Sequence, residues 1–321
     1  MIDRRIVGLG LCALILLPAT GRTQPKGKIG YLHQVTADPS HITFSILKQA
    51  WDRLGYQEGQ TVLARGGQGN VQQLPGLIAE LVAQGVGVLI VVGADAVQAA
   101  SRTTKSVPIV AVDMETDPVE TGLVSSYARP GGNLTGLFVD LPSLATKWVE
   151  LMREAAPIER IAFLWQPSTG RGQLDAAFRA AQDMNLEAIV LEVGPLEDDL
   201  SAKFSRLTGS KGTGVVQLTM PGASIRAAKY AVSAAKYGLP TITFSGASAK
   251  AGMLMSYGPS QQAYFPRAVE IADKILGGDK VGEVPIERPS KFELIINLKT
   301  ARALGLDIKS LLLARADEVI D

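Results

Sequence analysis

The sequence predicts an α/β protein built from two doubly wound, Rossmann-like lobes with parallel sheets, joined by a multi-strand hinge. Three observations lead there. Val88 to Val92 is a continuous apolar, mostly β-branched run, as expected for a strand buried on both faces of a parallel sheet. Such runs alternate strictly with helical stripes, the βα order that covers a parallel sheet with helices on both sides. The plan also repeats. Strands starting at Lys28 and Arg160 lie 132 positions apart, and so do Pro108 and Pro240, each of which introduces a later strand. The matching third strands, from Gly87 and Gly214, are offset by 127.

The elements follow in order. Lys28 to His33 reads as the first strand, and Ile42 to Leu54 as a helix with Phe44, Leu47, Trp51 and Leu54 on one face. Thr61 to Arg65 is a strand, and Val71 to Gln84 is a helix striped by Leu74, Leu77, Ile78, Leu81 and Val82. After Val88 to Val92, Gly93 ends the strand and Asp95 is placed to cap a helix reaching Thr103. Ile109 to Val112 is the next buried run, stopping at Asp113. Residues 115–136 lack periodicity and are rich in Pro and Gly, so they read as an irregular rim with a short strand at Leu123–Ser125.

The second unit starts with a helix from Ser143 to Ala155. Strands then fall at 160–165, 187–193, 214–218 and 241–244, alternating with helices at 173–184, 198–207 and 224–237. Met253 to Gly258 is a strand, Gln261 to Leu276 a helix, Phe292 to Asn297 a strand and Leu298 to Leu304 a helix, while Leu311 to Val319 reads as mostly helical. These late elements return to the two existing sheets. The expected division is residues 1–21 as a signal peptide, 27–139 plus 255–282 as the first lobe, and 140–254 plus 283–321 as the second. Crossings near 138–142, 252–257 and 282–289 would form a hinge, and hinged lobes close over a ligand.

The amino terminus carries an address. Arg4 and Arg5 precede an apolar run from Ile6 to Leu17, and Ala19-Thr20-Gly21 offers small residues at the cleavage position. That run is shorter than the about 20 residues a bilayer requires. Cleavage near Gly21 would remove the only cysteine, Cys12, leaving no disulfide or thiolate site. Export without disulfides fits a periplasmic location.

Of 321 residues, 46% are hydrophobic and 20% charged, so the chain has ample core. Lys and Arg number 32 against 31 Asp and Glu, a balance that gives no basic face for a nucleic-acid partner.

Catalytic and metal motifs are missing. Gly67-Gln68-Gly69-Asn70-Val71-Gln72 lacks the third glycine of a dinucleotide loop, and Gly246-Ala247-Ser248-Ala249-Lys250 lacks the closing glycine of a nucleophile elbow. Asp113-Met114-Glu115-Thr116-Asp117 alternates carboxylates like a calcium loop, but Pro118 stands where glycine is required. His33 and His41 alone cannot build a metal site. Neither a cofactor nor a metal is therefore expected.

In open sheets of this kind, ligands bind beyond the carboxyl ends of the strands. That rule selects His33, Gln34, Gly93, Ala94, Asp95, Asp113 and Met114 on the first lobe. On the second it selects Trp165, Gln166, Ser168, Met220, Pro221, Phe244 and Ser245, with Tyr257 at a later strand end. For Trp165, Phe244 and Tyr257, ligand contact and core packing are both open.

Several stretches carry a resemblance. They are Leu54-Gly55-Tyr56-Gln57-Glu58-Gly59-Gln60, Ala128-Arg129-Pro130-Gly131-Gly132-Asn133-Leu134-Thr135-Gly136 and Gly252-Met253-Leu254-Met255-Ser256-Tyr257-Gly258-Pro259. Lys291-Phe292-Glu293-Leu294-Ile295-Ile296-Asn297-Leu298-Lys299-Thr300-Ala301 and Leu312-Leu313-Ala314-Arg315-Ala316-Asp317-Glu318-Val319-Ile320 complete the set. With these the chain resembles the periplasmic substrate-binding proteins of ABC transporters, in the family related to tryptophan/tyrosine-binding components. The resemblance spans essentially the whole mature chain. It implies a type I periplasmic binding fold, a small-molecule solute in the interlobe cleft, no catalysis, a monomer, and an ABC permease of the inner membrane as partner. It also implies that the ligand carboxylate meets the turn after the third strand, here Gly93-Ala94-Asp95-Ala96. This chain departs there, having Ala94 for a hydroxyl residue and Asp95 for proline, so Asp95 is expected to meet a cationic or hydroxylated group. The competing readings are a periplasmic sensing module for a membrane receptor and, behind it, an enzyme on the same scaffold.

Overall fold

In a computed structural model, the described residues are 27–169, 171–194, 197–208, 212–220 and 222–321. The signal-peptide segment, Cys12 and Pro221 lie outside them. The first lobe comprises β1 (Ile29–His33), α1 (Ile42–Arg53), β2 (Val62–Gly66), α2 (Leu74–Ala83), β3 (Val88–Val92), α3 (Ala94–Thr103), β4 (Ile109–Asp113) and β5 (Leu134–Phe138). The second begins with α4 (Leu141–Ala155), β6 (Arg160–Trp165), α5 (Gly172–Asp183), β7 (Glu187–Glu192), α6 (Ser201–Phe204) and β8 (Thr213–Gln217). It continues with α7 (Ala223–Lys236), β9 (Thr241–Thr243), α8 (Gly246–Lys250) and β10 (Met255–Pro259). The chain ends with α9 (Gln261–Leu276), β11 (Phe292–Asn297), α10 (Leu298–Ala303), α11 (Ser310–Leu313) and β12 (Glu318–Ile320).

The five-stranded sheet runs β2-β1-β3-β4-β5 and is parallel throughout. The buried run of β3 explains its layering. Val88, Ile90 and Val92 point to one face, where they meet Phe44, Trp51, Phe265 and Val269. Leu89 and Val91 point to the other, against Leu74, Ile78 and Val97. Period-two alternation thus puts α1 and α9 on one side and α2 and α3 on the other.

The seven-stranded sheet runs β12-β11-β10-β9-β8-β6-β7. Its β7-β6-β8-β9-β10 portion repeats the order of the first sheet. β10 and β11 are antiparallel, so this sheet is mixed rather than purely parallel. Ile161 and Phe163 face α4 and α5, while Ala162 and Leu164 face Phe204, Ala227 and Tyr230.

Several local expectations change. Met255–Pro259 pairs with β9 and β11, so this strand belongs to the second sheet and not to the lobe formed by residues 27–139. Only from α9 does the chain rejoin the first lobe. It stays there to Glu287, whose carbonyl accepts from Phe138 and whose amide donates to Gly136. No strand forms at 123–125, because Leu123 and Val124 direct their amides to Pro118 in a tight turn. Leu311 to Val319 is not one helix. A four-residue helix is followed by β12, which pairs with β11. Asp95 does not cap α3; Gly93 holds the N-cap position at φ 100°, and Asp95 lies in the first turn.

Three connections join the lobes, at 139–140, 260 and 288–291. They lie side by side. Ser260 donates to the Lys291 carbonyl (3.0 Å), and Arg288 pairs with Asp140 at 3.3 Å.

Candidate functional site

A strand order of 2-1-3-4-5 reverses direction between its first and third strands. The crevice at that switch point is where open α/β sheets hold ligands. Here the first lobe's switch point lies between β1 and β3, ending at His33-Gln34 and Gly93. The second lies between β6 and β8, ending at Trp165-Gln166 and Leu218–Met220. The two crevices face one another, and three cavities open between them.

The first, of about 360 Å³, is lined by Gln34, Gln68 and Asp95 on one lobe and by Gln166, Asp198 and Arg226 on the other. The second, of about 120 Å³, joins His33, Gly93, Met114 and Glu115 to Met220 and Phe244. The third, of about 300 Å³, joins Glu115, Thr116 and Asp117 to Ser168, Arg171 and Gln173. Nine of the selected residues therefore border the interlobe space: His33, Gln34, Gly93, Asp95, Met114, Gln166, Ser168, Met220 and Phe244. Phe244 also borders a fourth cavity, of about 510 Å³, beside the hinge.

The centre of the first lobe's wall is a closed polar lock. Glu115 accepts a hydrogen bond from the Ala94 amide (3.1 Å) and one from the Gln34 side chain (3.4 Å). Gln34 Oε1 in turn accepts from the Asp95 amide at 3.2 Å. The first two amides of α3, an attractive place for an anion, are thus occupied by the protein's own groups. Gly93 makes this geometry possible: a Cβ there would lie 2.1 Å from the Gln34 side chain. Ala94 contributes only its backbone.

Electrostatics follow from burial. Burial, then the neighbouring Asp113, pushes Glu115 up to about 8, against the hydrogen bonds from Ala94 and Gln34. Asp113 is raised to about 6 by burial, although Thr116 and the Glu115 amide hydrogen-bond its carboxylate. Asp95 is raised by burial. His33 is lowered to about 3 by burial and by His41. Its Nδ1 accepts from the Val35 and Thr36 amides (3.0 and 3.2 Å), which leaves the proton on Nε2.

Other selected residues are not among those lining the three cavities. Asp113 is fully buried and spends its side chain folding the turn that carries Glu115. Tyr257 stacks on Phe292 with ring centroids 5.7 Å apart, and its carbonyl receives the Trp148 indole (2.6 Å), so it packs with the second lobe's core. Trp165 also packs there, under the Arg171 guanidinium. Ser245 is buried at the N-cap of α8.

Glu115 escaped selection because the carboxylate repeat around it reads as a failed calcium loop. Its signal is position, two residues past the end of β4. Among the described residues no group of three or more His, Cys, Asp or Glu side chains is placed to hold a metal, and no helix is long and apolar enough to cross a membrane.

Comparison with known proteins agrees with this architecture. Residues 28–320 match the family model described as ABC transporter substrate binding protein. The chain is 25% identical over 266 residues to a tyrosine-binding protein of Clostridioides difficile, covering 80% of this chain and 75% of that relative. A Streptococcus pneumoniae ABC domain in complex with L-Trp superposes with a TM-score of 0.82 at 22% identity, over 92% of this chain and 99% of that one. The ligand-free, open structure of a substrate-binding protein with adhesive properties from Clostridium difficile gives 0.66 at 21% identity, with the same coverage. The two lobes have the type I periplasmic binding fold.

Proposed function

The chain belongs to the ABC transporter substrate binding protein family, and on that premise we propose that it is the solute-binding component of an importer. It holds one small amino-acid-like or aromatic molecule between the lobes and hands it unchanged to an inner-membrane permease. One observation carries this reading: two equivalent switch points face each other across cavities of about 360, 120 and 300 Å³. Ligand pockets of small molecules typically measure about 300–1,000 Å³.

Two features support closure around the solute. The crossings are short and adjacent, so rotation requires few backbone changes. Val71 and Ile225 are 50% and 54% exposed and line the mouth of the same cavity from opposite lobes, where closing would bury both. The named ligand of the Clostridioides difficile relative directs attention to aromatic amino acids and their analogues. The amino-terminal address supports export to the periplasm.

A thermal-shift screen of amino acids, aromatic acids, small amines and sugars tests the proposal. A ligand that binds only the folded protein stabilises it by about 2.7 kcal/mol at a hundredfold excess over Kd, a clear rise in melting temperature. A flat response across all four classes would contradict it.

A further inference from the structure

Resting on the solute-binding reading above, we propose that the cleft selects a solute bearing a cationic nitrogen, received between Asp95 and Gln166, while Glu115 closes the α3 terminus to anions.

The α3 terminus is already satisfied from within the protein. At the start of α3 the Ala94 amide donates to Glu115 and the Asp95 amide to Gln34. A ligand carboxylate arriving there would displace a carboxyl group that fills the same role. It would also approach Asp95, Asp113 and Glu115 together. All three are shifted toward their neutral forms by burial, which marks this wall as hostile to further negative charge.

What remains unsatisfied is complementary. Gln166 is only 5% exposed, lines the cavity of about 360 Å³ between the facing crevices, and its Oε1 has no hydrogen-bond partner. Its Nε2 is committed to Ser168 Oγ at 2.7 Å. A buried carbonyl oxygen left unpaired costs about 1–3 kcal/mol, so it is poised for a donor. Asp95 borders the same cavity from the other lobe, and its carboxylate makes no side-chain hydrogen bond within the protein. An acceptor and a carboxylate on opposite walls call for a group rich in N–H donors and positively charged. An ammonium or guanidinium meets both demands; a carboxylate meets neither. Of the two other charged residues of the lining, Asp198 pairs with Lys229. Arg226 stands on the same wall as Gln166 and interacts with the Tyr230 hydroxyl, so Asp95 on the opposite wall is the carboxylate that has to hold the cation.

The test uses three probes with one ring: tyramine, tyrosine and 4-hydroxyphenylacetate. Titration calorimetry on the purified protein should show both amine-bearing probes binding at least tenfold tighter than the acid alone. Asp95→Asn keeps the side chain's shape and should weaken tyramine at least tenfold while leaving the unliganded melting temperature nearly unchanged. Glu115→Ala should vacate the Ala94 amide and raise the affinity for tyrosine relative to tyramine at least tenfold; Glu115→Gln still offers one oxygen to the Ala94 amide, giving up only the bond from Gln34, and should change that ratio less than threefold. If the truncation does not fold, the Asp95→Asn titration decides. Equal or tighter binding of 4-hydroxyphenylacetate, or tyramine affinity unmoved by Asp95→Asn, would overturn the inference while leaving a solute-binding protein. So would a ligand from the wider screen that lacks a cationic nitrogen. No ligand in any class would instead sink the solute-binding reading itself.

Discussion

At the scale of single residues, Glu115 contributes a distinct pH dependence to stability. In the unfolded chain it titrates near 4.5; in the fold, burial and Asp113 hold it near 8. The folded state therefore keeps a proton that the unfolded state releases. Its contribution to stability is complete below about pH 4.5 and is lost as the pH rises through about 8. Asp113 acts in the same sense over the window from 3.8 to about 6. The groups acting on Glu115 are Asp113, Asp95, the Gln34 amide and the Ala94 backbone amide; Arg171 lines the same cavity from the other lobe but is paired with Asp175. Glu115→Gln should flatten the fall in melting temperature between pH 6 and 8. A variant that declines as steeply as the parent would place the proton elsewhere. Pattern reading could name His33, Gln34 and Gly93 because strand ends are legible in sequence. It passed over Glu115 because the turn that aims it depends on the Asp113 side chain and a Thr116 hydroxyl, contacts that no periodicity encodes.

At the scale of elements, α9 matters most for the first lobe. It starts after β10 has ended in the second sheet, crosses, and lays Phe265, Ala268, Val269 and Ala272 against β3 and β4. The first lobe's core is therefore completed by a helix over a hundred positions downstream of its sheet. Phe265 is 4% exposed, so Phe265→Ala should cost about 3–5 kcal/mol. Urea unfolding followed by a first-lobe probe should show the lowered midpoint, and a loss under 1 kcal/mol would mean α9 is not integral to that core. The helices and central strands were readable from 3.6- and 2-residue periods. Their allegiance was not. Met255–Pro259 looks like any buried strand, and only its pairing with β9 and β11 assigns it to the second sheet. β12 is not legible as a strand because three residues are too few for a period to show, and its conformation comes from its partner Ile295–Asn297.

At the scale of the whole molecule, the fold supplies two equivalent crevices and three adjacent connections, and the chemistry sits where they meet. The repeat at 132 positions exposed the duplication in the sequence, because the two halves share strand order and the prolines that introduce their later strands. Sequence alone could not place each strand end: Trp165 and Tyr257 end strands as His33 does, and both also pack against the second lobe's core. On the proposed function, a small solute is held by closing these lobes. Small-angle X-ray scattering, with and without saturating amounts of the compound that raises the melting temperature most, tests it directly. Closure gives a smaller radius of gyration in the liganded protein at unchanged molecular mass; scattering curves that superpose, with the compound bound, would rule closure out.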